Sequence, residues 1–351
     1  MTSPMPSTPQ HFPWLVADVG GTNARFGWVA GPGSAVAQVH TLAVADHTSL
    51  ADAALAYLQW RVGQGPAQSP GEPNTPDTPD TPNPPNQPRR AAFAVATAVA
   101  GDAVAFTNSP WSFSRQAVRA ALGLELLLVM NDFEALALSL PRLGAAQLRA
   151  DHPLSLPPSG TLAVIGPGTG LGVGAVTQTA HGWLALPGEG GHVTLAPADG
   201  LESAVLAQVR RSFEHVSAER LLSGIGLPVL HRALCTVQGW RSDADTARAI
   251  VDTGVAGTDP ACAQTLEMFC ALLGGFAGNV ALTVGARGGV YIGGGIVPRL
   301  GQRFFASPFR ARFEAKGRFQ PYLAAIPTAV ITDTLAALAG AALAIEQAAG
   351  N

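Results

Sequence analysis

Charge is scarce in this chain. Only 13% of its 351 residues are Asp, Glu, Lys or Arg, and they nearly cancel to a net charge of −3. So small a balance does not suggest a surface for nucleic acid or an anionic membrane. Cysteine is scarcer still. Cys235, Cys262 and Cys270 are too few and too scattered for a disulfide framework or a four-cysteine zinc site. Cys262 and Cys270 could share one helical face, as small buried hydrophobes. No apolar stretch reaches the roughly 20 uninterrupted residues that a spanning helix needs. The opening "MTSPMPSTPQ" has neither a basic region nor an apolar signal core. These absences lead to the expectation of a cytoplasmic globular chain. With 47% hydrophobic residues at this length, two domains are expected rather than one.

Proline is concentrated in one place. Residues 65–88 read "GPAQSPGEPNTPDTPDTPNPPNQP", with proline at every third position from Pro73 to Pro82. Proline removes a backbone donor, and no apolar residue here could repay the cost of ordering. The segment is expected to be an extended, disordered insertion. Strand-like "RRAAFAVATAVAG" resumes directly after it, so it interrupts a domain and does not separate two.

Elsewhere strands and helices alternate. "WLVADVG" and "ARFGWVA" read as a hairpin closed by residues 20–23. "TSLADAALAYLQWRV" reads as a helix, "AAFAVATAVA" and "AVAFT" as strands, and "SRQAVRAALG" as a helix ending at Gly123. "LELLLVM" is a strand running into the helix "DFEALALSLP". At residue 161 the opening pattern recurs: "TLAVIGPGTGLGVGAVTQ" is again strand, glycine turn and strand, with "GWLALP" as a third strand. Gly168, Thr169 and Gly170 match Gly21, Thr22 and Asn23 turn to turn. Two domains built on one plan, with similar hairpin tips facing a shared cleft, are expected.

Glycine lets backbone N–H groups approach and surround a phosphate. Neither turn has the lysine of a Walker loop, and each leads into a strand, not into the helix of a dinucleotide fingerprint. Two plain tight hairpins remain the alternative. Asp18 favours a ligand at the first turn, because a carboxylate ending an apolar strand can hold hydrated Mg²⁺ against a phosphate.

The blocks "DVGGTNARFGWV", "TNSPWSFS", "NDFEALALSLP", "GPGTGLGV", "LPGEGGHV", "HVSAERLLSG" and "GGVYIGGGIVPR" follow one another in the order of the bacterial glucokinase family, within the hexokinase–actin–chaperone ATPase superfamily. The chain resembles that family from about Trp14 to about Pro327, broken only by the insertion. The resemblance implies an α/β fold of two ribonuclease H-like domains, with mixed sheets flanked by helices and a cleft between them. The small domain would take residues 12–142 with 333–351, and the large domain 143–332. It also implies ATP and Mg²⁺, with D-glucose as acceptor, and a homodimer.

Residue by residue, the resemblance makes Asp132 the general base, where position alone leaves it open to being a helix N-cap. Asn131, Glu189, His192 and Glu219 become sugar contacts. Glu219 is expected in the first turn of a helix capped by Ser217, and His215 is expected to be structural. A zinc role for His192 is the rival reading, but no cysteine cluster lies near it. Asp18, Gly20, Gly21, Thr22 and Asn23 become the first phosphate loop, with Asp18 serving Mg²⁺ through water. Gly168, Thr169 and Gly170 become the second, and Gly294 and Gly295 the adenosine wall. One departure is "DTLAALAGAA" from Asp333, where the family tends to carry a Pro-Gly-Leu-Leu-Gly turn. The expected reaction is phosphorylation of glucose at its 6-hydroxyl. A kinase for mannose or fructose, a non-catalytic sugar sensor and a chaperone or filament ATPase are the alternatives.

Overall fold

The computed structural model describes residues 11–31, 33–63, 87–106 and 110–350. The proline-rich insertion expected at 65–88 lies outside the described residues as far as residue 86, as do residues 107–109 of the "TNSPWSFS" block. The chain divides into two compact units, Met1–Ser139 with Leu335–Asn351, and Leu140–Thr334.

In the first unit the strands are β1 (Trp14–Val19), β2 (Asn23–Val29), β3 (Ala37–Ala43), β4 (Arg90–Val95), the short pair β5 (Ala103–Ala105) and β6 (Ser112–Ser114), and β7 (Leu126–Asn131). Its main sheet has the order β3-β2-β1-β4-β7. β1 pairs antiparallel with β2 and parallel with β4, and β4 pairs parallel with β7. Central parallel strands are covered on both faces and so read as continuous apolar runs. That is the character of "WLVADV" and "RAAFAV", whose only half-exposed residue is Asp18. Strand β3 was not expected. Its residues are exposed or half-buried along their whole length, as suits an edge strand, so it carries no apolar signal. Helix α1 (Leu50–Gly63) buries Leu50, Ala53, Ala54 and Tyr57, the i, i+3, i+4, i+7 stripe of an amphipathic helix. Tyr57 stacks on Phe26, which meets Phe93 edge-on. Helices α2 (Arg115–Ala121) and α3 (Asp132–Ser139) follow.

The second unit repeats the plan. Its strands are β8 (Leu148–Arg149), β9 (Thr161–Pro167), β10 (Leu171–Thr179), β11 (Gly182–Leu186), β12 (Gly289–Ile292) and β13 (Thr328–Ile331), in the order β11-β10-β9-β12-β13-β8. From β11 to β13 the strand order and directions match those from β3 to β7, with antiparallel pairs first and parallel pairs after. The helices are α4 (Gly200–Val209), α5 (Leu227–Gln238), α6 (Ala247–Ala256), α7 (Pro260–Val284) and the short α8 (Val297–Leu300), α9 (Gln302–Ala306), α10 (Phe309–Glu314) and α11 (Gln320–Ala324). Helix α7 has the length and apolar composition to cross a membrane, yet most of it is buried inside the unit, where Leu266, Phe269, Leu273 and Phe276 join the core. Cys262 and Cys270 both lie in α7 as free, buried thiols, and burial pushes Cys270 up to about 12.

The chain then returns to the first unit as α12 (Ala336–Gly350), which packs on β1, β4 and α3. The approach to α3 is close enough that a Cβ on Gly340 would lie within bonding range of Ala135 O. Only glycine permits that crossing.

Candidate active site

In the first unit, strand register gathers the candidate residues. β1, β4 and β7 run parallel with Val19, Val95 and Asn131 at one level. The 20–23 turn and the start of α3 therefore leave the same carboxyl edge of one sheet, about 10 Å apart with β4 between them. Open α/β sheets bind ligands at that edge. The turn is closed by Gly20 N donating to Asn23 O at 2.9 Å, and braced by Val44 N donating to Thr22 O at 2.9 Å. Thr22 and Asn23 are exposed, and Gly20 and Gly21 half-buried. Asp18 is directly opposite Arg25, whose Nη1 lies 3.2 Å from Asp18 Oδ2. Burial pushes the Asp18 carboxyl above the usual carboxylate range, and the Arg25 guanidinium offsets part of that rise.

At the end of β7, Asn131 takes the capping role that Asp132 alone had left open. Asn131 Oδ1 accepts Phe133 N–H at 2.9 Å, and Asn131 Nδ2 donates to Thr97 O at 3.2 Å. Glu134 closes the cap from the other side by accepting the Asn131 N–H, although burial still pushes its carboxyl up. Asn131 caps through Phe133 N–H while Glu134 reaches back to the Asn131 N–H, which is one arm of a capping box. Half-buried Asp132 begins the helix, with Oδ1 accepting Phe133 N–H at 3.0 Å.

In the second unit the turn 168–170 is closed by Gly168 N donating to Gly170 O at 2.9 Å. It is one residue shorter than the first turn, because Pro167 pairs with Leu171 where Val19 pairs with Ala24. The 293–296 loop lies against the same edge: Gly293 N donates to Ile165 O at 2.8 Å and Ile296 N to Pro167 O at 3.2 Å. Gly294 has φ +77°, and a Cβ there would lie 2.3 Å from Pro167 O. Gly295 is exposed beside it.

Glu189 and His192 are exposed on the 189–192 loop, and His192 Nδ1 is 4.0 Å from Glu219 Oε1. One expectation is adjusted. Ser217 bridges to Thr194, the segment 218–226 is not helical but a run of bends and turns, and the next helix begins at Leu227. Ser217 still caps locally, its Oγ accepting Arg220 N–H at 3.2 Å, but the chain bends away because Glu219 N donates to Gly191 O and Gly224 N to Gly168 O. His215 has a structural bond, its Nε2 lying 2.9 Å from His192 O.

The glucokinase family model matches residues 15–348. The chain belongs to the glucokinase family. It is 48% identical to the glucokinase of Chromobacterium violaceum over 95% of this chain and 89% of that one. A glucokinase from an Antarctic psychrotroph, solved by crystallography, is 33% identical with a TM-score of 0.82, covering 96% of this chain and 99% of that one. A more distant likeness, of fold alone, is to a ROK family glucokinase from Streptomyces griseus in complex with glucose and AMPPNP. It is 18% identical with a TM-score of 0.61, and the match covers 96% of this chain and 100% of that one.

Two side chains of this glucokinase-family chain escaped the sequence reading. Arg25 was recoverable: once residues 20–23 close a hairpin, counting outward sets residue 25 opposite residue 18. Glu134 was recoverable too, since Asn-x-x-Glu ahead of an apolar run is a capping-box pattern.

Proposed function

We propose that the chain transfers the γ-phosphoryl group of ATP to the 6-hydroxyl of D-glucose, giving glucose 6-phosphate and ADP. The observation that carries this reading is the carboxyl edge of the first unit, where Asp132 and the Asp18 turn stand two strands apart, within a chain that matches the family over nearly its whole length. Asp132 takes the hydroxyl proton as the sugar oxygen bonds to the γ-phosphorus and the bond to the β,γ-bridging oxygen breaks. Asn131 has one Nδ2 hydrogen committed to Thr97 O, and its second serves the sugar. Glu189, His192 and Glu219 complete the sugar contacts.

Phosphate oxygens are held by backbone N–H groups of Gly21 and Thr22 and of Thr169 and Gly170, and the Gly294 and Gly295 loop lies along the adenosine. Mg²⁺ fits Asp18. Among the described residues no three His, Cys, Asp or Glu converge as a closed metal cage. A single half-buried carboxylate beside a phosphate turn suits an ion that keeps its waters. Asp18 would hold the ion there, and Mg²⁺ would supply positive charge that neutralises the triphosphate. The chain would work in the cytoplasm, as a homodimer.

The test is the purified chain with ATP and Mg²⁺ against glucose, mannose, fructose and a sugar-free control, measuring ADP and sugar phosphate. Glucose 6-phosphate as the dominant product supports the reading. Preference for mannose or fructose would move the substrate, and ADP release without any sugar phosphate would remove the kinase.

A further inference from the structure

The carboxylate of Glu219 reaches further than a sugar contact requires. Its Oε2 accepts the N–H of Leu171, the first residue beyond the second glycine turn, at 2.9 Å. The fit is tight, since a Cβ on Gly170 would lie 2.5 Å from the same oxygen. The other oxygen, Oε1, is on the His192 side at 4.0 Å. Backbone bonds tie the same segments together. Glu219 N donates to Gly191 O at 2.9 Å, Gly224 N to Gly168 O at 2.7 Å, and Ile225 N to Thr169 O at 3.3 Å. A turn made of two glycines and a threonine has little side chain of its own to hold it, and glycine loses the most backbone freedom on ordering. Beyond the Gly168 N to Gly170 O bond that closes it, what fixes the direction of its amides comes from outside the turn.

We propose that Glu219 is a positioning residue for the nucleotide: by anchoring Leu171 N–H it sets the 168–170 turn, while its other oxygen faces the sugar side. The inference rests on reading 168–170 as a phosphate turn, as proposed above. One carboxylate then serves both substrates, and its loss is felt by the nucleotide even when no sugar is present. A sugar contact alone predicts no such effect.

The experiment measures binding of a non-hydrolysable ATP analogue, without sugar, to the wild type, Glu219→Ala and Glu219→Gln, together with the hexose KM and kcat of each. Alanine leaves the Leu171 N–H without its charged acceptor, so analogue affinity should fall by about ten- to a hundredfold. Glutamine keeps a carbonyl acceptor of the same reach and should return affinity to within about threefold of wild type. The hexose KM should rise in both variants. Should the alanine variant fail to fold, Glu219→Asp replaces it, its carboxylate one methylene short of the Leu171 N–H. Unchanged analogue affinity in the alanine or aspartate variant, with a raised hexose KM, would overturn the positioning role and leave a sugar ligand. Equal losses in the alanine and glutamine variants would also overturn it, since glutamine keeps both the packing and a carbonyl acceptor for Leu171 N–H. A wild type that phosphorylates no hexose and binds no analogue would instead overturn the kinase reading itself.

Discussion

Asp18 and Arg25 stand directly across the first hairpin from each other, with Arg25 Nη1 3.2 Å from Asp18 Oδ2. Burial holds the Asp18 carboxyl above its ordinary pKa, and Arg25 is what pulls it back. Arg25→Ala should therefore raise the Asp18 pKa further. If Asp18 works as a carboxylate towards Mg²⁺, less of it is ionised at any given acidic pH. The acidic limb of the kcat/KM profile should move to higher pH and the Mg²⁺ requirement should increase. A pH profile that superimposes on the wild type, at equal Mg²⁺, would separate Asp18 from the metal.

Asp132→Asn should lower kcat by about 10²- to 10⁴-fold, the usual contribution of a general base. The KM for ATP should change little. Asn131 and Glu134 already cap α3, so the fold should survive and the thermal midpoint should stay close to wild type. Retention of half the wild-type rate would leave Asp132 without a chemical role.

Gly340→Ala and Gly275→Ala make opposite predictions from the same substitution. At Gly340 the new methyl would collide with Ala135 O, forcing α12 away from α3. The expected cost is about 1–3 kcal/mol, as for other overpacked cores. At Gly275, within α7, a Cβ meets nothing within 4 Å. There the gain in helix propensity should stabilise by up to about 1 kcal/mol. Chemical denaturation of the two variants checks both signs.

Asp259 caps the long core helix α7, accepting Ala261 N–H at 2.8 Å and Cys262 N–H at 3.2 Å through Oδ1. A bond from Ser242 Oγ and these backbone bonds hold its pKa below the ordinary 3.8. Asp259→Ala should cost about 1 kcal/mol at neutral pH. A depressed carboxylate contributes its stability above the unfolded pKa and loses it as pH falls through the folded value. The gap between wild type and variant should thus be full at neutral pH and narrow below about pH 3.8. A gap that widens on acidification would contradict the sign.

What is legible in the sequence is short-range. The first hairpin, the helix beginning at Asp132 and the recurrence at residue 161 depend on apolar periodicity and on glycine turns a few residues long, and those signals are local by nature. The edge strand β3 escaped because it is exposed or half-buried throughout, so nothing in its composition betrays a buried face. The helix expected to start at Ser217 is absent for a different reason. Ser217 with Glu219 has the composition of a helix start, but the backbone donors of Glu219, Gly224 and Ile225 are taken by Gly191 O, Gly168 O and Thr169 O. Local propensity there lost to hydrogen bonds with partners roughly 30 to 60 residues away in the chain.

The sequence by itself determined the family, the alternation of strands and helices and the residue types at the candidate site, because each is carried by neighbours along the chain. Only the tertiary structure decided which of those residues meet. Parallel register brings Asn131 level with Val19 across more than a hundred residues. The close crossing of Gly340 over Ala135 seats the last helix on α3. Leu171 N–H finds the Glu219 carboxylate 48 positions away. Contacts of that kind depend on how sheets and helices close over a core, and no pattern of neighbouring residues records them.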